Sequence, residues 1–417
     1  MIDNNIPKHW QGKKLGEVCQ IYQGYGFPKV LQGSINGKYP FYKVGDISKN
    51  VKAGHRHLHL CDNFIDEEVL LKIKAKPYPK NTIVFAKIGE GLKLNRRAII
   101  NIPGIVDNNA IGLKAIESIC NDLFLFYFLT TVRLEDYSKA TTVPSVRKSE
   151  IEDIPFVLPP LTEQLAIVSK IEELLSDLDN GKQQLLTAQQ QLKVYRQSLL
   201  KAAFEGKLTN KNLKEGELPK GWKMTTIGSI FEVFIGSTPK RNNPDYWGGS
   251  INWLSSGEIA FCNIKSTKEK ISLEGLQNTS CKVHPIGTVI MAMIGEGKTR
   301  GQAAILNIEA SHNQNTAAIR VDNNIYKSSL LYYYLVFKYE DNRRVGSGNN
   351  QKALNKERIK SIQIPLPLFA EQQLIVDELE SKLTVCDKIE ETIKEALLKS
   401  ETLRQSILKK AFEGSLI

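Results

Sequence analysis

The chain is written twice. Residues 6–24, IPKHWQGKKLGEVCQIYQG, align with residues 218–236, LPKGWKMTTIGSIFEVFIG, pairing Pro7 with Pro219, Trp10 with Trp222, Gly16 with Gly228 and Gly24 with Gly236 at a shift of 212. AKIGEG at 86–91 aligns with AMIGEG at 292–297, and Asp107-Asn108-Asn109 falls opposite Asn313-Gln314-Asn315, both at a shift of 206. YRQSLLKAAFEGKL at 195–208 aligns with LRQSILKKAFEGSL at 403–416, and Glu163-Gln164 with Glu371-Gln372, at a shift of 208. Small loop insertions account for the drift. A tandem duplication constrains the fold more than any single motif, because what one half builds the other must build too.

Each half reads as a globular part followed by a long helix. In the globular parts short β-branched or aromatic runs, NTIVFAKI, RAIINI, GTVIMAMI and QAAILNI, alternate with Gly, Asn and Pro turns. This predicts an α+β domain with a twisted, mainly antiparallel sheet. The apolar segments NDLFLFYFLTTVRL and SSLLYYYLVFKYE match in position and are expected to pack as helices on that sheet. The resulting division is domain 1 at 1–158, a central helix at 159–208, a linker at 209–217, domain 2 at 218–365 and a C-terminal helix at 366–417.

The helices carry the clearest periodicity. Ile171, Leu174, Leu178, Leu185, Ala188, Leu192, Tyr195 and Leu199 fall three or four apart, with Gly181 filling one step, which is the spacing of a coiled-coil seam. The second copy runs Leu379, Leu383, Cys386, Ile389, Ile393, Ala396, Leu403 and Ile407, interrupted by Lys382 and Ser400. A proline segment, LPPLTEQ or LPLFAEQ, suits each helix start, and Gly206 or Gly414 suits a left-handed C-terminal cap. Roughly 38 residues at 1.5 Å each give a helix of about 57 Å. The order domain, helix, domain, helix predicts antiparallel helices and a pseudo-twofold arrangement.

The paired W…G…G entry segments, the proline segments followed by EQ and the RQSxLxxAFxG endings together resemble the specificity subunit of a type I restriction–modification system. The resemblance spans essentially the whole chain. It implies two target recognition domains, each reading one half of a split, asymmetric site on double-stranded DNA, with the paired helices as a ruler. It implies further that two methyltransferase subunits dock on this scaffold to methylate adenine, and that two motor nuclease subunits join them for restriction. GYGFPKV in the first copy departs from the family habit, to which GSTPKR in the second is closer.

Charge agrees with an acidic partner. Of 417 residues 56 are Lys or Arg and 45 Asp or Glu, a formal net charge of +11, which favours nucleic acid. The first residues contain no apolar signal-like region and no run of 18 or more apolar residues occurs, so a soluble cytoplasmic protein without membrane attachment is expected. Six cysteines without CxxC spacing predict reduced thiols.

Enzyme motifs are approached and missed. GEGKT at 295–299 resembles the end of a phosphate-binding loop, but Ala292 stands where the motif needs glycine, so a tight turn is the expectation. Asn243-Pro244-Asp245-Tyr246 resembles an amino-methyltransferase motif with Asp245 in place of proline, and no glycine-rich cofactor loop accompanies it. His55, His57, His59 and Cys61 would share a face on a strand, as metal ligands do, yet a half-buried strand face accounts for the same alternation. No catalytic residue and no cofactor are therefore expected.

Candidate DNA contacts are basic and amide residues in matching loops: Lys87, Lys93, Arg96, Arg97, Asn108, Asn109, Ser145, Arg147 and Lys148 in the first half, and Lys240, Arg241, Lys298, Arg300, Asn313, Gln314, Asn315, Asn349, Asn350, Gln351 and Lys352 in the second. Arg and Lys suit phosphates and guanine edges, and Asn and Gln grip adenine through two hydrogen bonds. Solvated loop charges and turn capping by amides explain the same residues without DNA. Candidate partner contacts repeat on the helices: Glu163, Gln164, Arg196, Gln197, Ser198 and Phe204, then Glu371, Gln372, Arg404, Gln405, Ser406 and Phe412. Capping and core packing are the alternative for these. A coiled-coil scaffold without DNA contact and a stand-alone enzyme are the rival readings of the whole chain.

Overall fold

The computed structural model describes residues 6–139, 142–210, 212–214, 216–295, 297–344 and 354–417. The chain forms two compact units, Met1–Leu185 with Glu395–Ile417, and Leu186–Lys394. Each contains one globular domain, a stretch of the helix Leu161–Phe204 and a stretch of the helix Phe369–Phe412.

In the first unit a five-stranded sheet has the order Cys19–Gln23, Ala110–Ala115, Ile83–Ala86, Arg97–Ile100, His57–Leu58. Its neighbours pair antiparallel except the last, where His57 lies opposite Ile99 in parallel. The second unit repeats this with Glu232–Ile235, Thr316–Arg320, Val289–Ala292, Ala303–Leu306 and Cys262–Ile264, again with only the last pair parallel. A three-stranded sheet and a two-stranded ribbon recur in each unit in the same order. The duplication seen in the sequence is thus a duplication of topology.

Successive strand residues feed opposite cores, as the period of two requires. Ile83, Phe85, Ile99, Ile111 and Leu113 join the cluster containing the long helices, whereas Val84, Ala98, Ile100 and Ala110 face a second cluster with Tyr42 and Ile47. Because both faces are covered, these strands read as continuous apolar runs rather than alternating ones. The segment Asp122–Thr131 is apolar all round and lies buried; the Asn121 carboxamide oxygen starts it by accepting from the backbone N–H of Leu123 and Phe124. Ser328–Phe337 occupies the matching place in the second unit.

The long helices contain 44 residues each, longer than the seam alone suggests. The extra turns precede the seam: Ile167 and Val168 are already buried in the domain core. Gly206 (φ 76°) and Gly414 (φ 73°) follow the helix ends in the left-handed conformation. Within each unit the two helical segments run antiparallel. Arg404 pairs with Asp179 in the first unit, and at the equivalent positions of the second Arg196 contacts Asp387 at 2.7 Å and Glu390 at 3.0 Å. The seam is interrupted where Tyr195 and Leu403, equivalent residues, are 50% and 51% exposed. Lys382 answers Glu378 one turn away instead of entering the seam.

Candidate nucleic-acid interface

Both duplicated turns are held by backbone and by the side chain of their first residue. In the first unit Asp107 accepts from the backbone N–H of Asn109 at 2.9 Å, and in the second Asn313 accepts from that of Asn315 at 3.1 Å. Gly24 and Gly236 pass so close that a Cβ would sit 1.8 Å from the Asp107 carbonyl oxygen or 2.2 Å from that of Asn313. Only glycine fits there.

Several candidate loops meet at this turn. The Lys87 N–H donates to the Asn109 carbonyl at 2.8 Å, the Lys87 carbonyl accepts from Val146 N–H at 2.9 Å, and Ser145 bridges Ile88. Lys87, Asn108, Asn109 and Ser145 therefore come together in the first unit, with Arg147 and Lys148 next along the chain. Asn108 and Asn109 are exposed; Lys87 is half-buried and its Nζ donates to Gln23 at 3.0 Å. In the second unit Met293 N–H donates to the Asn315 carbonyl at 2.8 Å and Leu354 N–H to the Met293 carbonyl at 3.0 Å, the same convergence. Gln314 is exposed and Asn315 half-buried, and the Thr238 hydroxyl reaches Gln314.

Other candidates have structural employment. Arg97 is 5% exposed and donates to the Val132 carbonyl at 2.6 Å and to Asn95; burial pushes its pKa down to about 9. It cannot reach DNA from there, and its apparent loop position was a strand start. Asn313 is buried and spends its side chain on the turn, so only its neighbours are displayed. Arg300 donates to the Arg343 carbonyl at 2.9 Å. Lys93 pairs with Glu90, Lys148 with Glu152, and Arg147 begins the short helix Lys148–Glu152, where its backbone N–H donates to Glu150. Arg96 lines an open cleft of about 880 Å³ with Arg56 and Arg404. Lys240 and Lys298 are exposed. Arg241 lies over the Trp247 ring at 3.8 Å and pairs with Glu269. Asn349, Asn350, Gln351 and Lys352 lie outside the described residues.

The EQ pairs are clamps, which corrects their reading as docking contacts. Gln164 is fully buried: its amide donates to the carbonyls of Ile119 at 2.9 Å and Pro159 at 2.8 Å, and its oxygen accepts from Asn121 N–H. Gln372 repeats this with Ile325, Pro367 and Lys327. Glu163 accepts from the Trp10 indole at 2.8 Å and Glu371 from the Trp222 indole at 2.7 Å. The sequence contained both members of each pair in both copies, so their joint repetition was the available signal. Phe412 packs on Phe124 and Phe128, and Phe204 on Tyr334 and Phe337, all inside the cores. Arg196 and Arg404 form the ion pairs described above, Ser406 is half-buried, and Gln197, Ser198 and Gln405 are exposed.

The motifs resembling enzyme sites resolve into structure. GEGLK forms the short helix Gly89–Lys93, and among the described residues its counterpart carries no helix between Ala292 and Ala303. Asn243 caps a single turn, Pro244–Tyr246, by accepting from Asp245 N–H. Of the histidine alternation only His57 lies in a strand, His57–Leu58; the rings of His55 and His57 stand 5.4 and 6.5 Å from that of His59, and Cys61 is engaged elsewhere. Cys61 instead donates to the Asn63 carbonyl, and burial pushes its thiol up to about 11. Among the described residues no group of three or more His, Cys, Asp or Glu is placed to hold a metal ion, and no helix is long and apolar enough to cross a membrane.

Duplicated domains with matching turns and matching helix clamps agree with the family model for the type I restriction modification DNA specificity domain, which matches residues 7–188 and again 219–399. The chain belongs to this family. The EcoBI specificity subunit of Escherichia coli is 25% identical over 99% of this chain and 87% of its own length. The MjaVIII specificity subunit of Methanocaldococcus jannaschii is 23% identical over 90% of this chain and 86% of its own. Two solved structures share the fold. One, from a type I R-M system described for its complex assembly and conformational transition, has a TM-score of 0.77 at 20% identity, covering 98% of this chain and 99% of that one. The HsdS subunit of Thermoanaerobacter tengcongensis has a TM-score of 0.65 at 19% identity, covering 98% of each. As a type I specificity subunit the chain carries two DNA recognition domains, one in each unit.

Proposed function

We propose that each unit reads one half of a bipartite, asymmetric site on double-stranded DNA, and that the chain supplies specificity without catalysis of its own. The observation that carries this is the shared turn. The same backbone convergence presents Asn108 and Asn109 in one unit but Gln314 and Asn315 in the other, so one scaffold displays two different sets of amides. Lys240, Lys298 and Arg241 add cationic surface suited to phosphates.

In the same reading the 44-residue helices, about 66 Å at 1.5 Å per residue, fix the spacer between half-sites. They also offer duplicated docking places. Tyr195 and Leu403 are half-exposed apolar side chains at equivalent positions, two residues from exposed Gln197 and Gln405 and beside Arg196 and Arg404. Two methyltransferase subunits, which bring cofactor and adenine methylation, and two motor nuclease subunits are the partners proposed for this scaffold.

The test is to map methylated adenines across the genome in cells with and without this chain. A motif of two unlike half-sites at fixed spacing should vanish with the chain, and an unchanged map would end the proposal. Alanine at Gln314 and Asn315 together should alter one half-site only.

A further inference from the structure

We infer that a one-directional chain of hydrogen bonds beneath the Asn313–Thr316 turn sets how Gln314 and Asn315 are presented, making His284 and His312 positioning residues for the second half-site. This rests on the DNA-reading role proposed above. Both imidazoles are 1% exposed.

The direction follows from the donors. Arg320 Nε donates to Nδ1 of His284 at 3.1 Å, and a guanidinium has no lone pair with which to accept. Neutral His284 therefore carries its proton on Nε2, which lies 3.2 Å from Nε2 of His312. His312 accepts there, so its own proton sits on Nδ1, 2.8 Å from the Thr316 hydroxyl. That hydroxyl donates to the Asn313 carbonyl at 2.8 Å. Each assignment forces the next, because reversing one would set two donors face to face. Burial lowers both rings and keeps them uncharged at neutral pH; at His284 the neighbouring cations Arg320 and Lys282 add to it, and at His312 burial outweighs the turn backbone.

The relay ends where the turn closes. Thr316 N–H also donates to the Asn313 carbonyl at 3.2 Å, and the His312 carbonyl accepts from Ser237 N–H at 2.9 Å. One residue on, Thr238 holds Gln314. The first unit has Tyr78, Val106, Ala110 and Lys114 at the four relay positions, and nothing there can transmit such a chain.

Two measurements on the full chain test this. Ring ¹⁵N spectra should show His284 protonated on Nε2 and His312 on Nδ1; matching tautomers, or a charged ring at neutral pH, would overturn the relay. Binding is then compared between duplexes bearing both mapped half-sites and duplexes with one scrambled. His312→Val and, independently, Thr316→Val should lower discrimination at the second half-site by about tenfold or more. His312→Asn, whose amide can donate to Thr316 in place of Nδ1, should hold it within about threefold of the unaltered chain. Discrimination at the first half-site should not move. Undiminished discrimination in both valine variants would sink the positioning role. An unaltered chain that ignores scrambling of the second half-site would instead sink the DNA-reading role, leaving the tautomers to judge the relay by themselves.

Discussion

The first and second units share sheet order, strand pairing and the glycine-lined turn, yet beneath that turn they are built differently. Tyr78 and Val106 stand where the second unit has His284 and His312, and the Tyr78 hydroxyl is buried without a partner among the described residues, whereas both imidazoles are fully engaged. Lys114 reaches away to Glu117 and Asp122, while its equivalent Arg320 turns into the histidines. What is common, the alternation of strand residues and the helix clamps, sustains the fold. What differs lies directly under the residues proposed to meet DNA.

The comparison breaks if damage in one unit spreads to the other. Phe412→Ala should cost about 3–5 kcal/mol, confined to the first unit, and Phe204→Ala a similar amount confined to the second. Amide hydrogen exchange resolved by unit would show this, and equal loss of protection in both would refute independence. Gln164→Ala strands the Asn121 N–H and the carbonyls of Ile119 and Pro159, at about 3 kcal/mol in the first unit; Gln372→Ala should do the same in the second. Separate melting transitions would report each.

Acid sharpens the contrast. Burial pushes His284 down to about 3 and His312 to about 4 from the ordinary 6.5, so below pH 6.5 the unfolded chain takes up protons that the folded second unit refuses. Its stability should fall as pH drops from 6.5 towards 4, by about 2 kcal/mol at pH 5.5. In the first unit burial raises Asp46 and Asp107, which favours its folded form in acid, against the partly exposed His57 and the surface carboxylates Glu17, Glu67, Glu117 and Asp153, which hydrogen bonds hold below their ordinary range. Denaturant melts at pH 7.5 and 5.5 should therefore show the second unit losing ground to the first; no relative shift would contradict the buried pair.

Much of this was legible in the residues. Repetition gave the two domains, the long helices and their glycine ends, because those depend on local spacing. Tyr195 and Leu403 have the spacing of seam residues and yet stand half-exposed, since periodicity records spacing but not which partner covers each position. Arg97 looked like a loop cation because nothing in its neighbours announces a strand buried on both faces. The histidine relay left a faint trace, a break in the repeat at 78 and 106 against 284 and 312, which only pairing across a sheet could turn into chemistry.

The unit containing Met1 borrows its last core residues from the other end of the chain. Ile407, Leu408, Ala411 and Phe412 close a hydrophobic cluster otherwise supplied by residues before Leu185, whereas Leu186–Lys394 is contiguous. On the ribosome, then, the domain made first is finished last, and the later one can complete itself while its elder waits with open aromatic surface. A message cut short before the final turns would yield a lopsided product, sound in its second half and unsealed in its first.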